Sequence, residues 1–180
     1  MLQVSVAAYS GEPTRDMVDN ARRFVDGIAR CSCGRVVLFL GGYKGLMRVV
    51  VDEALRHGLG VVLIIPVEYE GEHFPEQAIV VRTGLGLRER SSVLVRSGSV
   101  LVSLGGGVGT FFEELIAYSY GIPVIRVARS GGELLTDRLA ECFPSGRLDV
   151  RINRRILYVD NGFDAAEKAC RLVLGANSCG

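Results

Sequence analysis

The residues of this chain that could do chemistry gather around one stretch, Val100-Leu-Val-Ser-Leu-Gly-Gly-Gly-Val-Gly-Thr-Phe-Phe-Glu-Glu114. Val100 to Leu104 is a short apolar run with a β-branched bias, which predicts a buried strand. Glycines 105, 106 and 107 follow at once, then Val108, Gly109 and Thr110, and a helical pattern runs from about Thr110 to Tyr120. A strand that breaks into glycines and opens a helix leaves backbone N–H groups unpaired and pointing one way. The helix dipole adds partial positive charge at the same place, so it suits a phosphate or carboxylate. Glycine lets a ligand approach the backbone without a Cβ in the way. Gly106, Gly107, Val108, Gly109 and Thr110 are therefore the expected anion cradle, with Glu113 and Glu114 in the first helical turn behind it.

Other glycine-rich motifs fit less well. A Walker loop needs Lys and then Ser or Thr after its last glycine, whereas Gly109 is followed by Thr110 and Phe111. A dinucleotide fingerprint needs glycine where Thr110 stands and an acid at the tip of the next strand, which here ends Ile125-Arg126-Val127. Nicotinamide binding is disfavoured, and a doubly wound fold is not.

The elements that must position these residues alternate along the chain. Strands are predicted at Leu2–Ala8, Arg35–Leu40, Val61–Pro66, Ala78–Arg82, Val100–Leu104, Pro123–Val127 and Ile156–Asp160. Helices are predicted from Pro13 to Ile28, after Gly45 to His57, after Gly86 to Arg96, from Thr110 to Tyr120, near Glu133–Cys142 and over Phe163–Leu174. Strands alternating with helices predict an α/β fold: a three-layer, doubly wound, mostly parallel sheet with helices on both faces. The expectation is one Rossmann-like domain over residues 1–180, with 177–180 as a frayed tail.

A parallel sheet brings every strand's carboxyl end to one edge, beside the helix N-termini. That edge collects Ser10 and Gly11, Gly41–Gly45 with Gly42 and Lys44 as candidate ligand contacts, the acidic loop Glu68–His73, and Thr83–Arg90. Arg90 and Glu113 both lie early in their helices, so topology predicts that they share one crevice. The acidic loop itself reads as solvated, and Arg88 and Arg96 as surface arginines.

Composition narrows the field. Formal net charge is +1, which gives no argument for a nucleic-acid partner. No apolar run reaches membrane-spanning length, and the N-terminus enters a strand without a basic stretch, so a cytoplasmic protein is expected. The five cysteines have no zinc spacing and read as buried or incidental thiols, with a disulfide left open for a hyperthermophile source. His57 and His73 have no ligand-spaced partners in sequence, so neither a metal nor a cofactor is expected. Val93, Leu94, Phe111, Phe112 and Leu115 give more apolar helix surface than one sheet face needs, which points to a homo-oligomer, at least a dimer.

Three ordered motifs carry a family resemblance over residues 2–128: Gly41-Gly-Tyr-Lys-Gly-Leu-Met47, Arg90 in its helix, and Gly106-Gly-Val-Gly-Thr-Phe-Phe-Glu113. They resemble the Lonely Guy type phosphoribohydrolases, and the run from Thr83 to Ile125 is most similar to a Rossmann-like branch that includes molybdenum cofactor carrier proteins. The resemblance implies that Arg90 and Glu113 are catalytic and that the substrate is a nucleoside 5′-monophosphate, cleaved to free base and ribose 5-phosphate. The carrier branch implies a second reading, a binding protein for molybdenum cofactor or another phosphorylated pterin or nucleotide. The chain departs from the hydrolase pattern at Ser91, which stands for the lysine of the E-R-K motif, at Gly105 for proline, and at Arg48 for glycine. The family's other label, lysine decarboxylase, finds no support, since neither Lys44 nor Lys168 lies in a pyridoxal phosphate motif.

Overall fold

The computed structural model describes residues 1–33 and 35–175; the frayed tail expected at 177–180 lies outside them. Seven strands form one sheet: β1 (Leu2–Ala7), β2 (Val36–Leu40), β3 (Gly60–Ile65), β4 (Ile79–Arg82), β5 (Val100–Ser103), β6 (Val124–Val127) and β7 (Ile156–Val159). All pairings are parallel, in the order β4-β3-β2-β1-β5-β6-β7. Among the described residues six α-helices accompany them: α1 (Arg15–Cys31), α2 (Gly45–Arg56), α3 (Leu87–Ser97), α4 (Val108–Tyr120), α5 (Leu135–Cys142) and α6 (Gly162–Leu174). The doubly wound α/β architecture is thus the one the alternation predicts, and each predicted element is present with its ends shifted by a few residues.

The central strands are apolar throughout because both of their faces are covered. β5 is buried at every position, whereas the edge strand β4 leaves Ile79 and Val81 exposed. Alternate residues of β5 point to opposite sides. Val100 and Val102 join Phe24, Ile28, Ala165 and Ala169 under α1 and α6, while Leu101 joins Val95, Ala117 and Tyr118 under α3 and α4. Thr14 caps α1 by accepting from the Met17 N–H at 3.3 Å, and Asn161 caps α6 by accepting from the Asp164 N–H at 3.1 Å.

Strand order reverses between β1 and β5: the chain builds outward to β4, returns through α3, and starts again at β5 beside β1. Such a switch point splays adjacent loops apart and opens a crevice at the strands' carboxyl ends. The returning helix α3 crosses β3, β2 and β1. It is fastened there by the buried Ser5 hydroxyl, which donates to the Leu94 carbonyl at 2.8 Å.

The cysteines differ from their expected state. Cys31 at the end of α1 and Cys170 in α6 are joined in a disulfide, with Cα atoms 6.2 Å apart. The two helices pack face to face, which brings together residues 139 positions apart. The segment 143–155 is fastened to the domain. The Tyr118 hydroxyl donates to the Arg154 carbonyl at 3.0 Å and accepts from the Leu148 N–H at 3.3 Å, pinning that segment over the second apolar cluster.

Candidate functional site

A cleft of about 300 Å³ opens at the switch point, between the exit of β1 and the start of α4. Ser10, Arg90, Gly107, Val108, Gly109, Thr110 and Glu113, all expected site residues, line it. The helix begins two residues earlier than its pattern suggests, with Gly107 as N-cap and no side chain capping it. The open N–H groups of the first turn therefore belong to Val108, Gly109 and Thr110. Nothing lies within 4 Å of the place where a Cβ on Gly107 would sit, so that glycine faces open space.

Gly106 is not part of the cleft wall. Its N–H donates to the Thr136 hydroxyl at 2.9 Å, and its carbonyl accepts from the Thr136 N–H at 3.1 Å. That peptide is spent on holding α5, and the cradle narrows to Gly107–Thr110. A side chain on Gly106 would also collide with Thr110. Gly105 adopts φ +101°, a left-handed turn that a proline could not make, which accounts for one departure from the hydrolase pattern.

Glu113 and Glu114 lie in the second turn of α4, not the first, so helix-end electrostatics do not explain them. Glu114 turns away from the cleft and forms a fully buried two-pronged ion pair with Arg126 of β6, the Nε of which donates at 3.0 Å. Glu113 faces the cleft. Its Oε1 accepts from Arg90 Nη1 and from the Ser91 hydroxyl, each at 3.3 Å. Burial pushes the Glu113 carboxyl up to about 7, against the pull of Arg90, Ser91 and Arg88. Burial likewise lowers the Arg90 pKa, against the pull of Glu113.

Arg90 is only 5% exposed, and its Nε is buried without a hydrogen-bond partner among the described residues. Its guanidinium lies where a Cβ on Gly41 would be, so Gly41 is the glycine that makes room for it. The GGxxG motif signals this position, but sequence alone does not say what the missing side chain admits. Gly42 serves a different wall: its absent Cβ leaves 3.3 Å to the ring of Tyr69. Gly11 contacts Gly45, the left-handed first residue of α2, through its carbonyl.

Gly11, Gly42 and Lys44 do not line the cleft. Lys44 pairs with Glu72 and stands 4.3 Å above the Tyr69 ring. The acidic loop is correspondingly more than solvated surface. Its Tyr69 lines the cleft, and Glu68 Oε1 accepts from the Leu87 N–H at 3.3 Å at the start of α3. Tyr9, Leu87 and Arg88 are further lining residues outside the motifs, and Met47 and Ser91, motif positions not expected to bind ligand, line the cleft too. The neighbourhood of Ser10 and of Arg90 was the available signal for them.

Away from the cleft, His57 does find partners: its Nε2 lies 2.8 Å from Asp26 Oδ1 and 3.6 Å from Glu53 Oε1. Their ligand atoms are within 4.8 Å of one another. Arg22 and Arg56 also pair with Glu53, so the two carboxylates are already balanced and the cluster ties α1 to α2.

An all-parallel seven-stranded sheet with a glycine turn feeding α4 at the switch point defines a Rossmann-like protein. The model of the SLOG cluster4 family matches residues 1–147, and the chain belongs to that family. The solved structure of TM1055 is similar at 31% identity and TM-score 0.81, covering 96% of this chain and 100% of that one. The molybdenum cofactor carrier protein of Chlamydomonas reinhardtii shares the fold at 20% identity and TM-score 0.75, over 96% of this chain and 98% of its own. The molybdenum cofactor binding protein of Rippkaea orientalis does so at 20% identity and TM-score 0.72, over 96% and 97%. No curated protein matches the chain. Among the described residues no helix is long and apolar enough to cross a membrane.

Proposed function

We propose that the protein binds a nucleoside 5′-monophosphate in the switch-point cleft and hydrolyses its N-glycosidic bond, releasing free base and ribose 5-phosphate. The observation that carries this reading is the buried contact of Arg90 with Glu113 at 3.3 Å, in the same cleft as the uncapped N-terminus of α4. The N–H groups of Val108, Gly109 and Thr110 take the phosphate, which lays the ribose toward Glu113. Breaking the bond builds positive charge at the anomeric carbon, and the buried Glu113 carboxylate stabilises it. The same carboxylate takes a proton from the attacking water as the carbon–nitrogen bond breaks with its electron pair leaving on the base, and Glu113 then returns that proton to the base nitrogen. Arg90 stays charged and acts by hydrogen bonding to the ligand from the cleft wall. No metal or cofactor is needed for these steps.

A second reading is favoured by one observation. Ser91, standing for the hydrolase family's lysine, donates to Glu113 and supplies no second cation. A carrier of molybdenum cofactor or another phosphorylated pterin or nucleotide could use the same cradle without chemistry, as the names of two fold neighbours suggest. We take the chain as a single-domain, cytoplasmic homo-oligomer in either case. A cytoplasmic place for the Cys31–Cys170 disulfide fits a hyperthermophile interior. The deciding experiment is incubation with the common purine and pyrimidine monophosphates, followed by chromatography for free base. Base release at catalytic amounts of protein supports the hydrolase. Stoichiometric retention of a nucleotide or pterin, with no base released from any of them, replaces it with the carrier.

A further inference from the structure

Three cations stand near the cleft, and two of them are already engaged. Lys44 pairs with Glu72 outside the wall, and Arg90 pairs with Glu113 inside it. Arg88 lines the cleft and has no carboxylate partner among the described residues. Its guanidinium is held over the ring of Phe112, 5.9 Å from the centroid. From there Nη1 reaches to 3.4 Å from the point where a Cβ on Gly109 would sit, directly over the first turn of α4. A Cβ on Gly109 would just touch it. Arg88 also acts on Glu113, whose carboxyl it helps hold down.

We infer that Arg88 is the residue that grips the ligand's phosphate, its guanidinium standing beside the Gly107–Thr110 turn, and that this side chain supplies much of the preference for a terminal phosphomonoester over the neutral nucleoside. This rests on the phosphate-binding part of the reading above and not on its hydrolytic part. The physical reason is that a phosphomonoester carries close to two charges. The helix N-terminus supplies about half a positive charge. The Arg90–Glu113 pair adds nearly none in net. A guanidinium, with its fork of N–H donors, supplies both the missing charge and a bidentate match to two phosphate oxygens. The buried Arg90 Nε, without a hydrogen-bond partner among the described residues, belongs to a side chain that lines the same cleft, so the polar wall beside Arg88 is not fully satisfied by the protein itself.

The test is calorimetric titration of wild type, Arg88→Ala, Arg88→Lys and Arg96→Ala with AMP, GMP, CMP, UMP, ribose 5-phosphate and adenosine. Arg96 is the matched control, because it lies on the same helix and stacks on Tyr120, 5.1 Å from the ring centroid, outside the cleft. Arg88→Ala is expected to weaken the monophosphates that bind, and ribose 5-phosphate, at least tenfold while changing adenosine less than twofold. Arg88→Lys should recover part of the loss, and Arg96→Ala should bind like wild type. Loss of less than twofold in Arg88→Ala, an equal loss for adenosine, or a wild type that gains nothing from the phosphate would each overturn the proposal. Base release separates it from the hydrolase reading. If wild type binds monophosphates through Arg88 and releases no base, the phosphate grip stands and hydrolysis falls. If base is released and Arg88→Ala leaves KM unchanged, hydrolysis stands and the grip falls.

Discussion

Glu113 and Glu114 are adjacent in sequence and opposed in space: Glu113 meets Arg90 of α3 in the cleft, and Glu114 meets Arg126 of β6 in the core. Two successive helical residues differ by about 100° in direction, enough to send one carboxylate to the ligand and the other into the sheet. The Glu114–Arg126 pair is fully buried, with a further guanidinium hydrogen bond to the Thr136 carbonyl at 3.3 Å. Thr136 also clamps Gly106, so the pair indirectly braces the cradle's floor.

The two carboxylates should therefore fail in different ways. Glu114→Gln leaves a buried guanidinium uncompensated and should cost about 3–5 kcal/mol of folding stability, read by urea denaturation. At pH 4.5, where the Glu113 carboxyl is protonated in the fold, Glu113→Gln should change stability by less than about 1 kcal/mol, and at neutral pH it should nearly abolish base release while sparing AMP binding. Equal stability losses in the two variants would show that the two carboxylates do not divide their roles between cleft and core.

The glycines of the turn should separate in the same way. Gly107→Val adds a side chain into open space, so the melting temperature should stay near that of wild type while nucleotide binding is lost by exclusion. Gly106→Ala drives a methyl into Thr110 and should cost about 1–3 kcal/mol. A Gly107→Val protein that still binds monophosphates with wild-type affinity would show that the ligand does not lie on this turn.

Glu113 should leave a signature in the pH dependence. Its carboxyl is raised from 4.5 to about 7 in the fold, so between these values the native state holds more protons than the unfolded chain. Stability from this group is then fully present below pH 4.5 and falls as pH rises through about 7, by the order of 3 kcal/mol across the window. Urea midpoints measured from pH 4.5 to 8 should drop less steeply in Glu113→Gln than in wild type. The hydrolysis rate should rise over the upper part of the same range, because the chemistry needs the ionised carboxylate. Parallel stability curves for the two proteins would contradict the perturbed carboxyl.

The Cys31–Cys170 bridge closes a long loop between α1 and α6. Reduction, or replacement of Cys170 by Ala, should lower stability by about 2–5 kcal/mol without altering ligand affinity, since neither sulfur lines the cleft. Calorimetric melting with and without reductant measures this, and coincident melting curves would argue that the thiols do not pair in solution.

Association is expected through the exposed side of α3 and α4. Val93 and Leu115 are exposed there, with Phe111 and Phe112 half-buried between them, whereas Leu94 is fully buried and contributes to the core instead. Light scattering at micromolar concentration should report at least a dimer, and Leu115→Arg should shift it toward monomer. A wild-type monomer under these conditions ends the oligomer proposal.

What the sequence determined by itself was everything governed by periodicity and local backbone chemistry. Short β-branched runs such as Val100–Val102 alternate with amphipathic helices, and this dictates a parallel sheet with its loops at one edge. The glycines after β5 dictate an uncapped helix start there, and topology alone put Arg90 and Glu113 in one crevice. Tertiary structure decided what each side chain meets. It set Glu114 on Arg126, closed Gly106 against Thr136, and withdrew Lys44 to Glu72. It also carried Tyr69 and Arg88 to the cleft and joined Cys31 to Cys170. The physical reason is one of range. Helix starts and strand patterns are set by neighbours a few residues away, whereas ion pairs, clamps and cleft walls join residues 10 to 139 positions apart, and their partners exist only once the sheet has been assembled.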